Sequence, residues 1–494
     1  MLHTLISKFF QKLGESSFLG NMLALMSGSI ISQVIALIAS LLTAKLYSPA
    51  EMGIYSNYAS ILSVITVLVC LQYDRAIVLP DRDGEAQQIF GLCIVACLGS
   101  SILCGLVCFP FGSYIAVRMN APELGPWLRL IPLSVLLAGM SSALQFWNSR
   151  RKTLGNVALS NTVQTAIASG SQILLGLEPV HCHGGMIMGS FFGRLVSVVF
   201  LFLKTLRQES ASLLSGVTLE GVRRVAIRYC RFLAAIPGSL CDQFCAALPS
   251  LGLTYFFGST EAGYYGLSHR LLGLPLSIIH NSVSQAFFPE AKAARAAGTL
   301  KPLCLRMVNL LLRIGCTPFM LLSLVAPPLI SFVFGARWYT AGEYIKWLSM
   351  WLLLGFVYSP LSCIFSVMEQ PQKYTVLNII NLAVRVAALL AGGLMGDPTT
   401  AIALCGISGA LVSIFNCAYV LRLVQINLGE ILACFLQQFF RAILYALPTI
   451  LSLALIGENI LSAVIAICSG FVFLLLEIKP ILYSLQAIGK GGAE

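Results

Sequence analysis

The residues of this chain that could do chemistry are charges standing where charge is costly. Arg194 sits in "GSFFGRLVSVVF", Arg270 in "YYGLSHRLLGLP", Arg313 in "VNLLLRIGCTPF" and Arg385 in "NIINLAVRVAALL". A guanidinium in the middle of an apolar membrane run costs about 3 kcal/mol or more, so each one is a functional candidate. It stays ionised and offers a planar fork of donors to oxyanions. Several together would line a lumen with positive charge for an anionic group. The competing reading is a long side chain that bends outward to the headgroups. Arg270, flanked by His269 and followed by Pro275, leads the list. Arg385 is too central in its run to reach either surface, Arg194 ranks next, and Arg313 is close enough to the inner face to meet headgroups. Asp242 is the one carboxylate read as deep within a run, and three roles stay open for it. It could pair with Arg385, carry a proton after desolvation, or bind Na+ with Asn378 and Asn381 as neutral oxygen donors. Asp74-Arg75, near the inner end of the second run, fits a salt bridge or a substrate contact equally well.

Other groups are weaker. His181-Cys182-His183 has the look of metal ligands, but a zinc site wants a second pair, and none follows at a suitable spacing. It reads as an ordinary loop, and no metal and no cofactor is expected beyond a coupling H+ or Na+. The 16 cysteines are scattered, mostly in apolar runs, where they behave as small hydrophobes. No Walker A lysine motif is present, which excludes ATP hydrolysis by this chain. No acidic pair in a soluble domain and no large outer loop supports a glycosyltransferase or polymerase.

The elements that must position these residues are membrane helices. The chain has 494 residues, 57% hydrophobic and 10% charged, against about 25% charged in soluble domains. At ~20 apolar residues per span, about fourteen spans are legible, making an all-α polytopic protein. Their limits are 19–46, 54–79, 88–117, 126–149, 156–177, 184–206, 229–257, 262–288, 303–334, 341–367, 373–396, 398–424, 433–456 and 459–484. The first run is too long for a signal-peptide core and reads as a span. Net charge is +11. Lys8, Lys12, Arg82, Arg150-Arg151-Lys152, the stretch from Lys204 to Arg231, Lys292, Arg295, Lys301, Lys373, Arg422 and Lys479 all fall on one side, which makes that side and both termini cytoplasmic. The polar stretch between the sixth and seventh spans reads as a linker able to lie on headgroups as an amphipathic helix. The organisation expected is an N-terminal lobe over 1–206, a linker over 207–228, a C-terminal lobe over 229–424, and two further spans with a tail over 425–494.

A short repeat supports two lobes. "SPAEMGIYS" from Ser48 and "GSTEAGYYG" from Gly258 align Glu51, Gly53 and Tyr55 with Glu261, Gly263 and Tyr265. Each falls just after the first span of a six-span unit. An even number of spans between the copies makes the repeats parallel, a recurrent transporter plan.

The stretch "LYSPAEMGIYSNYASILSVITVLVCLQYDRAIVLP", Leu46 to Pro80, resembles the N-terminal signature of the bacterial polysaccharide biosynthesis export family, the Wzx-type flippases of lipid-linked oligosaccharides. "HRLLGLPLSIIHNSVSQAFFPEAKAA", from His269, resembles the matching segment of its second half. The wider MOP superfamily includes MATE multidrug exporters and MurJ-type lipid II flippases. The resemblance implies two six-helix lobes in a V, alternating access, and movement of an undecaprenyl-diphosphate-linked glycan from the inner to the outer leaflet of the bacterial inner membrane. Its implied partners are that glycan, membrane lipids and polymer assembly proteins, with no nucleic acid. MurJ-type members resemble this chain in placing an arginine on the helix that carries Arg270. They also carry a carboxylate and polar groups on the helices of Asp242 and of Asn378 and Asn381, although here asparagines stand where a second acid could. The alternatives are a MATE-like exporter, which would want acidic, aromatic-lined surfaces for organic cations, and an integral-membrane glycan polymerase or ligase.

Overall fold

The structure is a computed structural model that describes residues 17–178, 180–208 and 216–489. It is all-helical, with 89% helix and no strand among the described residues. A long helix occupies every stretch read as a span. In order they are α1 (Ser17–Leu46), α2 (Pro49–Val69), α3 (Asp83–Arg118), α4 (Ile131–Arg150), α5 (Leu154–Gly176) and α6 (Gly185–Gln208). The linker carries α7 (Leu219–Arg228). There follow α8 (Ile236–Phe257), α9 (Ser259–Ala297), α10 (Leu300–Phe334), α11 (Tyr339–Leu361), α12 (Pro371–Met395), α13 (Pro398–Leu423), α14 (Leu428–Ile456) and α15 (Ile460–Gly489).

Ten helices among the described residues are long and apolar enough to cross a membrane. An eleventh is added if Pro122–Leu128 and α4, bent by 54° at their junction, form one broken span. α5 falls short because Ser160, Asn161, Thr162, Gln164 and Thr165 dilute its apolar character. α1 and α9 have side chains described only in part. The chain divides into two compact units between Ala247 and Leu248.

In the first unit, α2 begins at a capping box. Ser48 is the N-cap, Pro49 follows it, and Glu51 returns a hydrogen bond to the Ser48 backbone, an arrangement worth about 1 kcal/mol. The expected span 54–79 stops being α-helical at Val69. Leu71 and Gln72 then take positive φ angles of 50° and 63°, and a 3₁₀ helix, Tyr73–Val78, carries Asp74 and Arg75. Arg150 at the end of α4 fixes this turn by donating to the carbonyls of Pro80 and Asp81 and pairing with Asp83 at 2.9 Å. The core centres on fully buried Trp147, edge-on to Phe90 at 5.5 Å. α6 closes on α5 through Gly189 and Gly193. A Cβ at Gly193 would stand 2.6 Å from the Gln164 carbonyl, so only glycine permits this approach. The linker is pinned to α3: Thr218 donates its amide to Gln88 at 3.1 Å, and Arg228 pairs with Glu85 at 2.8 Å.

In the second unit, α11 packs on α10 and α13, and α12 on α13. Gly409 of α13 makes room for Trp351 of α11; a Cβ there would meet the indole at 2.7 Å. α14 and α15 close on α10 through small residues, Ala446, Ala463 and Ala466 against Leu321 and Val325. The order of partners repeats that of the first unit, where α4 packs on α3 and α6, and α5 on α6. The turns repeat as well. Lys152 between α4 and α5 and Glu369 between α11 and α12 both adopt left-handed conformations, at φ 58° and 60°.

Candidate functional site

Each unit holds an arginine beside the tyrosine of its Glu-x-Gly-x-Tyr copy. In the first, Arg194 of α6 lies within electrostatic range of Tyr55 and Tyr58 of α2. Tyr58 shares a hydrogen bond with Ser134 at 2.6 Å, and Ser190 donates to the Tyr55 hydroxyl at 3.2 Å. Among the described residues no carboxylate pairs with Arg194.

In the second unit, Arg385 of α12 is 4% exposed. Its guanidinium lies over the Trp351 ring, 4.0 Å from the centroid. Such a stack is worth about 2 kcal/mol when desolvated and holds the fork in one plane. Tyr265 and His269 of α9 feel the Arg385 charge, and their rings lie 5.6 Å apart. The Tyr265 hydroxyl is buried and makes no hydrogen bond among the described residues. Two turns before Arg385 on the same helix, Asn378 is buried too, and its amide nitrogen has no acceptor among the described residues. A buried polar atom left unsatisfied costs about 1–3 kcal/mol, so this corner of the unit favours whatever supplies acceptors. A guanidinium with a phenol beside it suits phosphate oxygens, and an amide NH₂ two turns away on the same helix suits a sugar hydroxyl.

The remaining sequence candidates are placed less centrally. Arg270 is half-buried on α9 beside His269, and Asn381 is half-buried on α12. Asp242 is exposed on α8, not enclosed by packing. Asp74 accepts hydrogen bonds from Ser142 at 2.5 Å and from the Arg75 amide at 3.1 Å. It forms no ion pair with the exposed Arg75 among the described residues.

Three features escaped the sequence reading. Arg313, expected near headgroups, pairs with Glu477 of α15 at 2.6 Å. Glu477 also pairs with Arg441 of α14 at 2.9 Å and accepts from Tyr445 at 2.9 Å. The carboxylate in "FVFLLLEIKP" was the available signal. Trp351 as the platform for Arg385 had none, since it looks like any interfacial tryptophan. Third, His181 and His183 converge on Glu51, whose carboxylate they meet at 2.9 Å each. Their missing partner lies far back in sequence. The Glu51 carboxylate holds the His181 imidazole above the usual histidine range. In the second copy of the motif, Glu261 instead accepts from Tyr344 at 2.5 Å.

Residues 41–343 match a family described as polysaccharide biosynthesis protein. No curated protein sequence matches the chain. Among solved structures, the lipid II flippase MurJ in an inward closed conformation is similar at a TM-score of 0.66 and 13% identity, over 92% of this chain and 99% of that one. An inward-facing multidrug resistance MATE family transporter of the MOP superfamily is similar at 0.61 and 14%, over 82% and 98%. A MOP superfamily transporter from Pyrococcus furiosus is similar at 0.53 and 13%, over 82% and 96%. At these identities the likeness establishes the MOP fold.

Proposed function

The chain belongs to the polysaccharide biosynthesis protein family, and from that premise we propose that it is a flippase. It moves an undecaprenyl-diphosphate-linked oligosaccharide repeat unit from the inner to the outer leaflet of a bacterial plasma membrane by alternating access. Both termini lie in the cytoplasm, and all fourteen long helices cross the bilayer. The observation that carries the reading is Arg385: a permanent positive charge buried in a membrane helix, stacked on Trp351 and within electrostatic range of the Tyr265 hydroxyl, which has no hydrogen bond among the described residues. In this site the diphosphate oxygens accept from the guanidinium and the phenol, and the indole edge and asparagines meet sugar. Arg270, on the same unit, adds positive charge, and in the first unit Arg194, and Arg75 with Asp74, are separate candidate contacts for the anionic head. Charge-assisted hydrogen bonds of about 1.5–3 kcal/mol each are enough for selection of an anionic head.

Energy comes from a proton or Na+ gradient, with Asp242 in the first unit and, separately, Asn378 and Asn381 in the second as the coupling candidates. The fold is shared with a multidrug resistance MATE family transporter, so export of an organic cation is the second reading; the buried positive charge of Arg385 argues against it.

The test is made in a host that assembles the cognate glycan and has no second flippase. Arg385→Ala is expected to trap the lipid-linked repeat unit on the cytoplasmic face at normal protein abundance, and Arg385→Lys to restore part of the flux, because charge returns without the fork. Outer-face glycan at wild-type level after complete loss of the chain would overturn the reading and bring cation export forward. Asp242→Asn is expected to abolish gradient dependence; unchanged dependence removes Asp242 from the coupling step.

A further inference from the structure

We propose that Glu51, His181 and His183 form a binding site for a divalent transition-metal ion of the zinc type. The three residues converge from two turns of the first unit. Glu51 stands in the first turn of α2, and the histidines lie in the loop between α5 and α6. The His181 Nε2 and His183 Nδ1 atoms both lie 2.9 Å from the same oxygen, Glu51 Oε1, and all three ligand atoms fall within 4.8 Å of one another.

The carboxylate is oriented for this before any ligand arrives. Its other oxygen, Oε2, accepts from the Ser48 amide at 2.7 Å and the Ser48 hydroxyl at 2.8 Å. That division leaves Oε1 to the imidazoles. The His181 ring is oriented as well. Its Nδ1 lies 3.3 Å from the Gly176 carbonyl, an acceptor that requires a proton on Nδ1. In the neutral ring, Nε2 then carries a lone pair aimed at a carboxylate oxygen. At 2.9 Å that contact is bridged either by a proton on Nε2 or by a metal ion taking its place. Imidazole nitrogen held by an outer carbonyl, with a carboxylate alongside, is the arrangement by which proteins orient zinc ligands.

The loop is held rather than draped. The Tyr47 ring stacks obliquely on His181 at 5.7 Å, and its hydroxyl donates to the Gln172 carbonyl at 2.7 Å. The Cys182 amide donates to the Leu175 carbonyl at 3.0 Å. Gly184 lies so close to Trp127 that any Cβ would enter the indole. Glu51 is 9% exposed at the side chain, His181 30% and His183 85%, so the site is walled on one side and open on the other. In a tetrahedral zinc site with bonds of about 2.1 Å, ligand atoms stand about 3.4 Å apart. Both imidazole nitrogens therefore need to draw back from Oε1 by roughly 0.5 Å, which the exposed His183 does most easily, and water completes the shell. Two imidazoles and one carboxylate favour Zn, Co, Ni or Cu over Mg or Ca. The metal replaces the protons between the rings and Glu51, so no other reactant is needed. Bound, it clips the start of α2 to the α5–α6 turn.

The full chain, purified in detergent and stripped with a chelator, is titrated with Zn2+ against a chromophoric competitor and with Co2+ by visible absorption. One equivalent of Zn2+ is expected, with a tetrahedral Co2+ spectrum. His183→Ala, a change at an exposed side chain, is expected to weaken binding at least ~10-fold, and the His181→Ala/His183→Ala pair to abolish the Co2+ spectrum while thermal melting of the apo protein stays close to wild type. Absence of a tight equivalent in the wild-type protein, or unchanged Zn2+ affinity in both variants, overturns the proposal.

Discussion

Tyr265 and Trp351 decide what Arg385 can do. Tyr265→Phe removes a buried hydroxyl that has no partner among the described residues, so thermal stability is expected to hold or rise slightly. If the hydroxyl serves the head group, flux in a vesicle flipping assay should fall about 10-fold, the loss of one hydrogen bond to a charged group. Equal flux would confine Tyr265 to packing. Trp351→Ala frees the guanidinium from its plane and is expected to cost more flux than Trp351→Phe, which keeps a ring face for the cation. Gly409→Val reaches the same result indirectly, because a side chain there pushes on the indole. A Gly409→Val protein that flips at the wild-type rate would show that the position of Trp351 is not critical.

At the scale of elements, two features invite measurement. The end of α2 is bent by consecutive left-handed residues, Leu71 and Gln72, and such backbone costs about 1 kcal/mol per non-glycine residue. Gln72→Gly should raise the melting temperature modestly, and Gln72→Val should lower it. A rise with Val would show that the turn opens in the folded protein. The second is the junction of α10, α14 and α15. Glu477 is 1% exposed and faces two arginines. Glu477→Gln removes the carboxylate from both arginines and is expected to cost about 3–5 kcal/mol, whereas an apolar replacement of Glu477, Arg313 and Arg441 together should recover much of it. Melting curves of the single and triple variants decide the point.

For the molecule as a whole, the helices were legible because apolar runs of the right length have few other uses. The fourteen runs all became long helices. Their ends were harder to read. Tyr73–Val78 is apolar enough to extend a span, yet positive φ at Leu71 and Gln72 turns it into a 3₁₀ helix. The chemistry was half legible. Arg385 stood out because charge is conspicuous in an apolar run, but its tryptophan, and the carboxylates facing His181 and Arg313, come from sequence-distant segments that only folding brings together. Asp242 looked central on its run and is exposed in three dimensions. The pairing of Arg313 with Glu477 also sets a timetable. The two residues are 164 positions apart, and at about 5–20 residues per second of synthesis the arginine waits roughly 8–30 s for its acid. During that interval the Arg313 charge on α10 is without the Glu477 carboxylate. A message cut short before α15 would leave a nascent chain with a charge that never finds its counterion, a natural mark for membrane proteases to recognise an unfinished copy.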